Sequence, residues 1–170
     1  IQRRGYAEAL TSPAVIAARC QITVIADFRS KDIALGGQGA PLASAFHQQV
    51  FANPQADSVV LNIGGIANIT HLPANPETEV SGFDTGPGNT LMDELCRRHF
   101  DRAFDEGGAL AASGSIDHSL VENALEQEPY FHQPAPKSTG TDYFSPEWMQ
   151  RFGFDKLAPR DAIASIAELV

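Results

Sequence analysis

Asp84 is the residue in this sequence best placed for acid–base chemistry. It follows the predicted strand 79–83 and precedes the glycine-rich turn 86–88. A strand end fixes a carboxylate, the turn beyond it leaves the group open to a cleft, and the next helix N-terminus attracts anions. A carboxylate that only caps the turn through its amides has the same pattern. The residues alone therefore do not decide whether Asp84 is catalytic or only caps the turn.

Gly64 and Gly65 separate two hydrophobic runs, 58–63 and 66–71. The spacing predicts two strands joined by a tight hairpin. Glycines allow a phosphate to approach the backbone closely, with amides as donors, and Asn68 adds a polar side chain. A hairpin that binds nothing has the same composition, so phosphate binding and a simple turn both remain open.

Arg29 follows the predicted buried strand 22–26. Its planar guanidinium suits a carboxylate or a phosphate. Ion pairs of Asp27 and Asp32 with Arg29 and Lys31 are the alternative. The glycines at 36–39 predict a loop over residues 28–41 that lines a pocket or is merely a flexible connection.

Lys137 lies beside two hydroxyl residues in the segment 136–140. The glycines that a Walker A loop requires before its lysine are missing, so we reject that assignment. A loop lysine next to hydroxyl groups can hold an anionic substrate, and a solvated surface position is the alternative.

The histidines and cysteines lack the spacing of a metal site. No histidine pair has the i, i+4 spacing of a zinc helix, and Cys20 and Cys96 fall in helical patterns. We therefore predict no metal held by His or Cys, and two buried thiols without a disulfide. A Gly-x-Ser-x-Gly elbow is also missing, which disfavours a serine hydrolase.

The composition predicts a globular protein in which nucleic acid is not the main partner. The chain has 170 residues, 43% hydrophobic and 19% charged, with a net charge of −9 and a pI near 4.9. Nucleic-acid binding needs a basic face, whereas a nucleotide can bind through a few local amides and cations. No apolar run approaches the roughly 18 residues of a membrane span, and the basic residues 1–4 lead into no signal sequence. We expect a soluble cytoplasmic protein without a membrane partner.

Helical patterns alternate with the strands, which gives an α/β class. Cap-then-proline pairs at Ser12-Pro13 and Ser145-Pro146 begin two of the helices, and Asp117 caps another. Residues 129–141, rich in proline and glycine, predict an ordered loop. The helices are predicted over residues 13–19, 41–51, 89–99, 117–127, from 146, and from 159 onward. Residues 107–112 are predicted as a short helical or irregular piece.

Five motifs in register resemble the anhydro-N-acetylmuramic acid kinase family from about residue 13 to the C-terminus. Residues 1–10 resemble it poorly. The motifs are Ile25-Ala-Asp-Phe-Arg29, Gly36-Gly-Gln-Gly-Ala-Pro-Leu42, Leu61-Asn-Ile-Gly-Gly-Ile-Ala-Asn68, Gly82-Phe-Asp-Thr-Gly-Pro-Gly-Asn89 and Pro136-Lys-Ser-Thr-Gly140.

The resemblance implies an actin-like, ribonuclease H-like ATPase architecture with a mixed sheet and flanking helices, of which this chain is only part of the two lobes. Residues 1–57 would end the first lobe and carry a substrate-side segment, and residues 58–170 would begin the second lobe. The implied activity is ATP- and Mg²⁺-dependent opening and phosphorylation of 1,6-anhydro-N-acetylmuramic acid by a cytoplasmic homodimer that recycles cell-wall sugar.

The resemblance also implies a role for each candidate residue. Asp84 is the catalytic base, with Mg²⁺ bound nearby together with ATP. Nucleotide phosphates would contact Gly64, Gly65 and Asn68. The sugar would contact Arg29, Gly86, Gly88, Asn89 and Lys137.

Two features leave other functions open. The family's first phosphate loop, Gly-Thr-Ser-x-Asp-Gly, and its C-terminal lobe are not in this sequence, so we expect the isolated chain to be inactive. The alternatives are a related kinase with another sugar or carboxylate acceptor, and a non-catalytic segment that binds sugar or dimerises.

Overall fold

The computed structural model describes residues 11–170, in which three antiparallel strands are flanked by helices. The predicted α/β class is confirmed. The strands, in the sheet order β1-β2-β3, are Ser58–Ile63, Ile66–Leu72 and Ser81–Pro87. The helices are α1 Pro13–Cys20, α2 Phe28–Ala34, α3 Ser44–Phe51, α4 Thr90–Phe100, α5 Ala109–Ala112, α6 His118–Gln127, α7 Pro146–Phe152 and α8 Pro159–Leu169, with 3-10 turns at Glu106–Gly108 and Phe154–Lys156.

The first predicted helix is confirmed and the first predicted strand is wrong. Ser12 accepts a hydrogen bond from the Val15 amide and Pro13 occupies the first turn of α1, as the cap-then-proline pattern predicts. Residues 22–26 form no strand, and the side chains of Ile22 and Ile25 are exposed. A strand needs a neighbour to pair its backbone groups, and no strand of residues 11–170 lies beside this segment.

The predicted loop over residues 28–41 is also wrong at its start, because α2 occupies Phe28–Ala34. The seven residues of α2 contain neither glycine nor proline, and Asp27 caps them by accepting from the Ser30 amide at 3.4 Å. The glycines at 36–39 mark only the turn after the helix. The next helix, α3, begins at Ser44 rather than at Pro41.

The meander of three strands is confirmed, and its register places Asp84 opposite Asn68. In the β1–β2 hairpin, Asn62 pairs with Asn68 and Ile63 with Ala67 around the two glycines. Between β2 and β3, Ala67 pairs with Gly86 and Asn68 with Asp84, so Thr85 has no partner and forms a bulge. A bulge locally twists a strand and redirects its side chains, and such bulges are frequent beside active sites.

The hydrophobic core lies among α4 to α8 rather than on the sheet. The last helix, α8, contacts α4, α5 and α6, and the aromatic residues of the segment 130–154 fill the space beside α7. The core thereby supports the C-terminal end of β3, where α4 begins. The buried core residues include Leu91, Leu95, Cys96, Val121, Tyr130, Phe144, Trp148, Met149, Phe154, Ile163 and Ile166.

The cysteine prediction is half right. Cys96 is buried in α4, but Cys20 is exposed at the end of α1, and neither forms a disulfide. Among residues 11–170 no helix is long and apolar enough to cross a membrane. The predictions for residues 1–10 lie outside the described residues.

Candidate active site

Asp84 lies near the middle of β3, which extends past the predicted strand end, and only 5% of its surface is exposed. On one edge of the strand it faces Asn68 of β2. On the other edge the loop 129–141 takes the place of a fourth strand, because the Asp84 amide donates to the Lys137 carbonyl at 3.1 Å. The Asp84 carbonyl accepts from the Tyr130 hydroxyl at 2.7 Å. Both main-chain polar groups of Asp84 are therefore held by this loop.

The carboxylate of Asp84 is held at one oxygen. The Thr139 amide donates to Oδ2 at 3.0 Å, and no other hydrogen bond between described residues reaches this carboxylate. Burial raises the pKa of Asp84, while the Thr139 amide and the charge of Arg29 hold the increase back. A buried carboxylate with a raised pKa and one oxygen without a protein partner is suited to accept a proton.

Arg29 lies on α2 close enough to Asp84 for its charge to act on that pKa. Its Nη1 donates to the Gly39 carbonyl at 3.1 Å, and the Gly39 amide donates to Asp32 Oδ2 at 2.7 Å. The ion pairs suggested as an alternative do not form among the described residues, since Asp32 holds the glycine turn and Asp27 caps α2. The glycine turn is thus fastened to α2, and Arg29 is oriented by it.

The N-terminus of α4 is occupied by the glycine hairpin. The amides of Gly88 and Asn89 donate to the carbonyls of Gly65 and Gly64 at 2.9 and 2.8 Å, and the Thr90 amide also reaches Gly65. These donors are therefore not free for an anion, contrary to what a glycine-rich turn before a helix suggests. The contact fixes the hairpin against the turn that follows Asp84.

Neither backbone strain nor packing within the described residues requires glycine at positions 64 and 65. Both have φ outside the left-handed region, and a Cβ added to Gly65 would approach no atom closer than 3.9 Å. The nearest atom to a Cβ on Gly64 would be the Ile66 carbonyl oxygen at 3.7 Å. Space that a methyl group would fill is left open here, which fits close approach of a phosphate to the hairpin.

Gly86 and Gly88 are glycines for reasons of packing. A Cβ on Gly88 would overlap the Gly64 carbonyl oxygen, and a Cβ on Gly86 would meet the Phe131 ring at 2.7 Å. Asn89 is exposed and its side chain makes no capping bond. These three residues lie at the same end of the sheet as the hairpin.

Lys137 is buried and lies on the other face of β3. Its Nζ donates to the carbonyls of Tyr130 and Phe131 at 3.0 and 3.2 Å and lies 5.7 Å from the centre of the Phe83 ring. Successive side chains of a strand point to opposite faces, so the ammonium lies away from the Asp84 carboxylate. It borders a cavity of about 300 Å³ lined also by Phe83, Thr85, Gly86, Pro87, Leu125, Phe131, Leu169 and Val170. Burial lowers the pKa of Lys137.

The candidate site residues therefore fall into two groups. Asn68 lies opposite Asp84, and Arg29 is near enough for its charge to act on that carboxylate. The hairpin and the first residues of α4 lie beyond the bulge. Lys137 instead contacts the loop backbone.

The sequence patterns assign no role to Glu128 or Tyr130, and they assign none to Thr139 of the fifth motif. The density of aromatic residues from Tyr130 to Phe154 was the available signal. Their hydrogen bonds to a buried carboxylate could not be deduced from it.

The described residues do not form a complete set of metal ligands on their own. They contain no cluster of three or more His, Cys, Asp or Glu side chains arranged to hold one. Mg²⁺ is often bound by one or two carboxylates together with substrate phosphates. Asp84 next to an open glycine hairpin fits that mode as a partial ligand set.

The antiparallel meander, the glycine hairpin and the buried aspartate of β3 are features of the sugar-kinase and actin-like ATPase class, of which this chain has a part. A family model described as anhydro-N-acetylmuramic acid kinase matches residues 2–170. The chain belongs to the anhydro-N-acetylmuramic acid kinase family. The match begins at residue 2, earlier than the resemblance from about residue 13.

Curated relatives agree with the family match. The chain is 49% identical over 168 residues to an anhydro-N-acetylmuramic acid kinase of Burkholderia orbicola, covering 98% of this chain and 44% of the relative. It is 56% identical over 147 residues to one of Shewanella amazonensis, covering 86% of this chain and 39% of the relative. The chain thus spans less than half the length of these relatives.

Proposed function

We propose that this chain forms part of an ATP-dependent kinase that hydrolytically opens 1,6-anhydro-N-acetylmuramic acid and phosphorylates it to N-acetylmuramic acid 6-phosphate. The observation that carries the proposal is the buried Asp84 carboxylate, fixed at one oxygen by Thr139 and influenced by Arg29. Membership of the family supports the substrate.

In the proposed reaction Asp84 acts as a general base. Its carboxylate accepts a proton from a water molecule that attacks C1 of the sugar, and the bond from C1 to the bridging oxygen breaks. The bridging oxygen stays on C6 and attacks the γ-phosphate of ATP, with ADP as the leaving group. One water and one ATP are consumed for each sugar phosphate and ADP formed, with release of a proton.

The nucleotide side of the site is proposed at Gly64, Gly65 and Asn68. Their support is the space beside the two glycines and the position of Asn68 opposite Asp84. Mg²⁺ bound with ATP would neutralise phosphate charge there. No step is assigned to it beyond that.

The sugar side of the site is proposed at Arg29, with Gly86, Gly88 and Asn89 shaping the turn beside it. Arg29 is exposed and oriented by the Gly39 carbonyl, which suits a guanidinium that receives the lactyl carboxylate. A direct role of Lys137 in sugar binding stays a prediction, since its ammonium donates to two carbonyls of its own loop.

The remaining predictions rest on the resemblance. They are a two-lobed enzyme with the boundary near residue 57, a homodimer and a cytoplasmic location. We propose them for the full-length protein that continues this chain to the length of its relatives.

An isotope experiment separates the proposed reaction from an ordinary hydroxyl kinase. The full-length protein is incubated with ATP and 1,6-anhydro-N-acetylmuramic acid in H₂¹⁸O, and the early product is examined by mass spectrometry with fragmentation. Hydrolytic opening places the label at C1, and a control incubates unlabelled product to correct for exchange at that carbon. A phosphorylated product whose 1,6-bridge is intact would contradict the proposal.

A further inference from the structure

We propose that Glu128 is a positioning residue for Asp84, because its carboxylate holds both ends of the loop 129–141 and so keeps the Thr139 amide on the Asp84 carboxylate. The catalytic consequence rests on the proposed function, whereas the positioning itself does not.

Glu128 is a carboxylate with no exposed surface and four donors. Oε1 accepts from the Tyr130 amide at 2.9 Å and from the Tyr143 hydroxyl at 2.5 Å. Oε2 accepts from Trp148 Nε1 at 2.7 Å and from Arg151. Burial by itself raises the pKa of Glu128, but the bonds from Tyr143, the Tyr130 amide and Trp148, with the charge of Arg151, outweigh it and leave the pKa lowered. The group is therefore held as an anion.

The donors divide by location. The two on Oε1 come from either end of the loop 129–141, from Tyr130 at its start and from Tyr143 two residues after its last residue. The two on Oε2 come from α7, which carries Trp148 and Arg151. One carboxylate thus ties both ends of the loop to a helix of the hydrophobic core.

The loop in turn contacts Asp84 at three points. The Tyr130 hydroxyl donates to the Asp84 carbonyl, and the Asp84 amide donates to the Lys137 carbonyl. The Thr139 amide donates to the carboxylate itself. Lys137 closes the loop internally through its bonds to the carbonyls of Tyr130 and Phe131.

Four donors on two oxygens require a carboxylate. A glutamine would place an NH₂ group against two of these donors, so the anchor cannot be kept by a neutral amide of the same size. A purely structural Glu128 would need no connection to the loop ends. Its bonds to Tyr130 and Tyr143 are the feature that directs its effect to Asp84.

The charged and titratable groups around Asp84 are few. Arg29 acts on it from α2, and Tyr130 and Lys137 face β3 from the loop. On β2 its partner is the uncharged Asn68, and His47 of α3 bonds to Thr70 farther along the sheet. Of these groups, only Tyr130 is bound directly to Glu128.

The test compares Tyr143→Phe with Trp148→Phe in the full-length protein. Each change removes one hydrogen bond to Glu128 and keeps an aromatic ring, but Tyr143 flanks the loop whereas Trp148 lies on α7. The readout is hydrogen exchange of the Thr139 amide, measured for each variant at the same number of degrees below its Tm. We expect exchange about tenfold faster in Tyr143→Phe and unchanged in Trp148→Phe. Unchanged exchange in Tyr143→Phe, or equal acceleration in both variants, would overturn the inference.

A second measurement, the pH dependence of kcat/KM in the same two variants, tests whether the loop affects the proton uptake by Asp84. The Thr139 bond lowers the pKa of Asp84, so its weakening in Tyr143→Phe moves the acid limb of the kcat/KM profile to higher pH. The limb in Trp148→Phe stays in place. A wild-type protein without sugar-dependent turnover contradicts the proposed function, while the exchange result still decides the positioning. If the Thr139 amide exchanges faster in an active Tyr143→Phe protein but the acid limb of its kcat/KM profile does not move, the catalytic part of the inference is overturned.

Discussion

The amide of Thr139 donates a 3.0 Å hydrogen bond to Oδ2 of Asp84, although the two residues are 55 positions apart in the chain. The bond leaves the second carboxylate oxygen without a protein partner among the described residues. It also opposes the effect of burial on the pKa of Asp84. A carboxylate that is fixed at one oxygen and partly desolvated is suited to orient and deprotonate a water molecule.

Replacing Asp84 by Asn should leave the folded protein at least as stable at neutral pH. The carboxyl has a raised pKa in the folded state, so its stabilising contribution is complete below the unfolded pKa near 3.8 and is lost as the pH rises through the folded value. The variant should therefore gain stability relative to wild type as the pH rises from about 3 to 7. Thermal unfolding across this range measures the difference.

The side-chain amide introduced by Asp84→Asn still offers an oxygen to the Thr139 amide, so the comparison isolates the charge. A clear fall in the Tm of Asp84→Asn at neutral pH would show that the carboxylate is structural.

Replacing Arg29 by Ala should weaken sugar binding and raise the pKa of Asp84. The positive charge of Arg29 lowers that pKa, so its removal moves the acid limb of kcat/KM to higher pH. The KM for the sugar should rise by about tenfold or more, since the proposed guanidinium–carboxylate contact would be lost. Steady-state kinetics as a function of pH measures both effects.

Lys31→Ala is the matched control, because Lys31 lies on the same helix, is exposed and is not among the groups that shift the pKa of Asp84. Equal effects of the two changes would mean that only the general charge of α2 matters.

Alanine at Gly64 or Gly65 should reduce activity without unfolding the protein. A Cβ fits at both positions, so the free energy of unfolding should change by less than about 1 kcal/mol. The methyl group would occupy the space proposed for phosphate, so the KM for ATP should rise. Kinetics and denaturant unfolding are compared for the same preparations.

Gly88→Ala provides the contrast, since its Cβ would overlap the Gly64 carbonyl oxygen and the variant should be strongly destabilised. Normal ATP kinetics in both hairpin variants would favour the simple turn over phosphate binding.

Replacing Glu128 by Ala should cost about 3 kcal/mol of stability at neutral pH, because buried donors lose their acceptor. The folded pKa of Glu128 is lowered, so the contribution is present above the unfolded value of about 4.5 and is lost as the pH falls through the folded value. Urea unfolding at several pH values measures this difference, with exposed Glu126→Ala as the control. A difference from wild type that stays constant below pH 4.5 would contradict the anionic role.

Local patterns in the sequence predicted most of the fold. The Ser12 and Asp117 caps, the two glycines of the hairpin and the prolines at 146 and 159 each mark a helix end or turn through contacts within a few residues. The predictions that failed concern segments whose structure depends on residues far away in the chain. Residues 22–26 have the composition of a strand but no strand of the described residues beside them.

The candidate site was predicted only in part for the same reason. Asp84 and the hairpin glycines stand out because hydrophobic runs that end in tight turns are local signals. Glu128 acts through donors up to 23 positions away, and Thr139 contacts Asp84 over a longer distance in the chain. The segment around Lys137 has the composition of an anion-binding loop, yet the Lys137 ammonium donates to a carbonyl of its own loop. Such contacts depend on tertiary packing, which spacing does not encode.

The most direct test of the account is a coupled assay of ADP release by the full-length protein, with and without 1,6-anhydro-N-acetylmuramic acid, alongside Asp84→Asn. We expect release that depends on the sugar and falls by about 10²–10⁴-fold in the variant, as is typical for loss of a general base. Absence of sugar-dependent release in a folded, full-length protein would contradict the proposed substrate. Sugar-dependent release that survives in Asp84→Asn would contradict the proposed base.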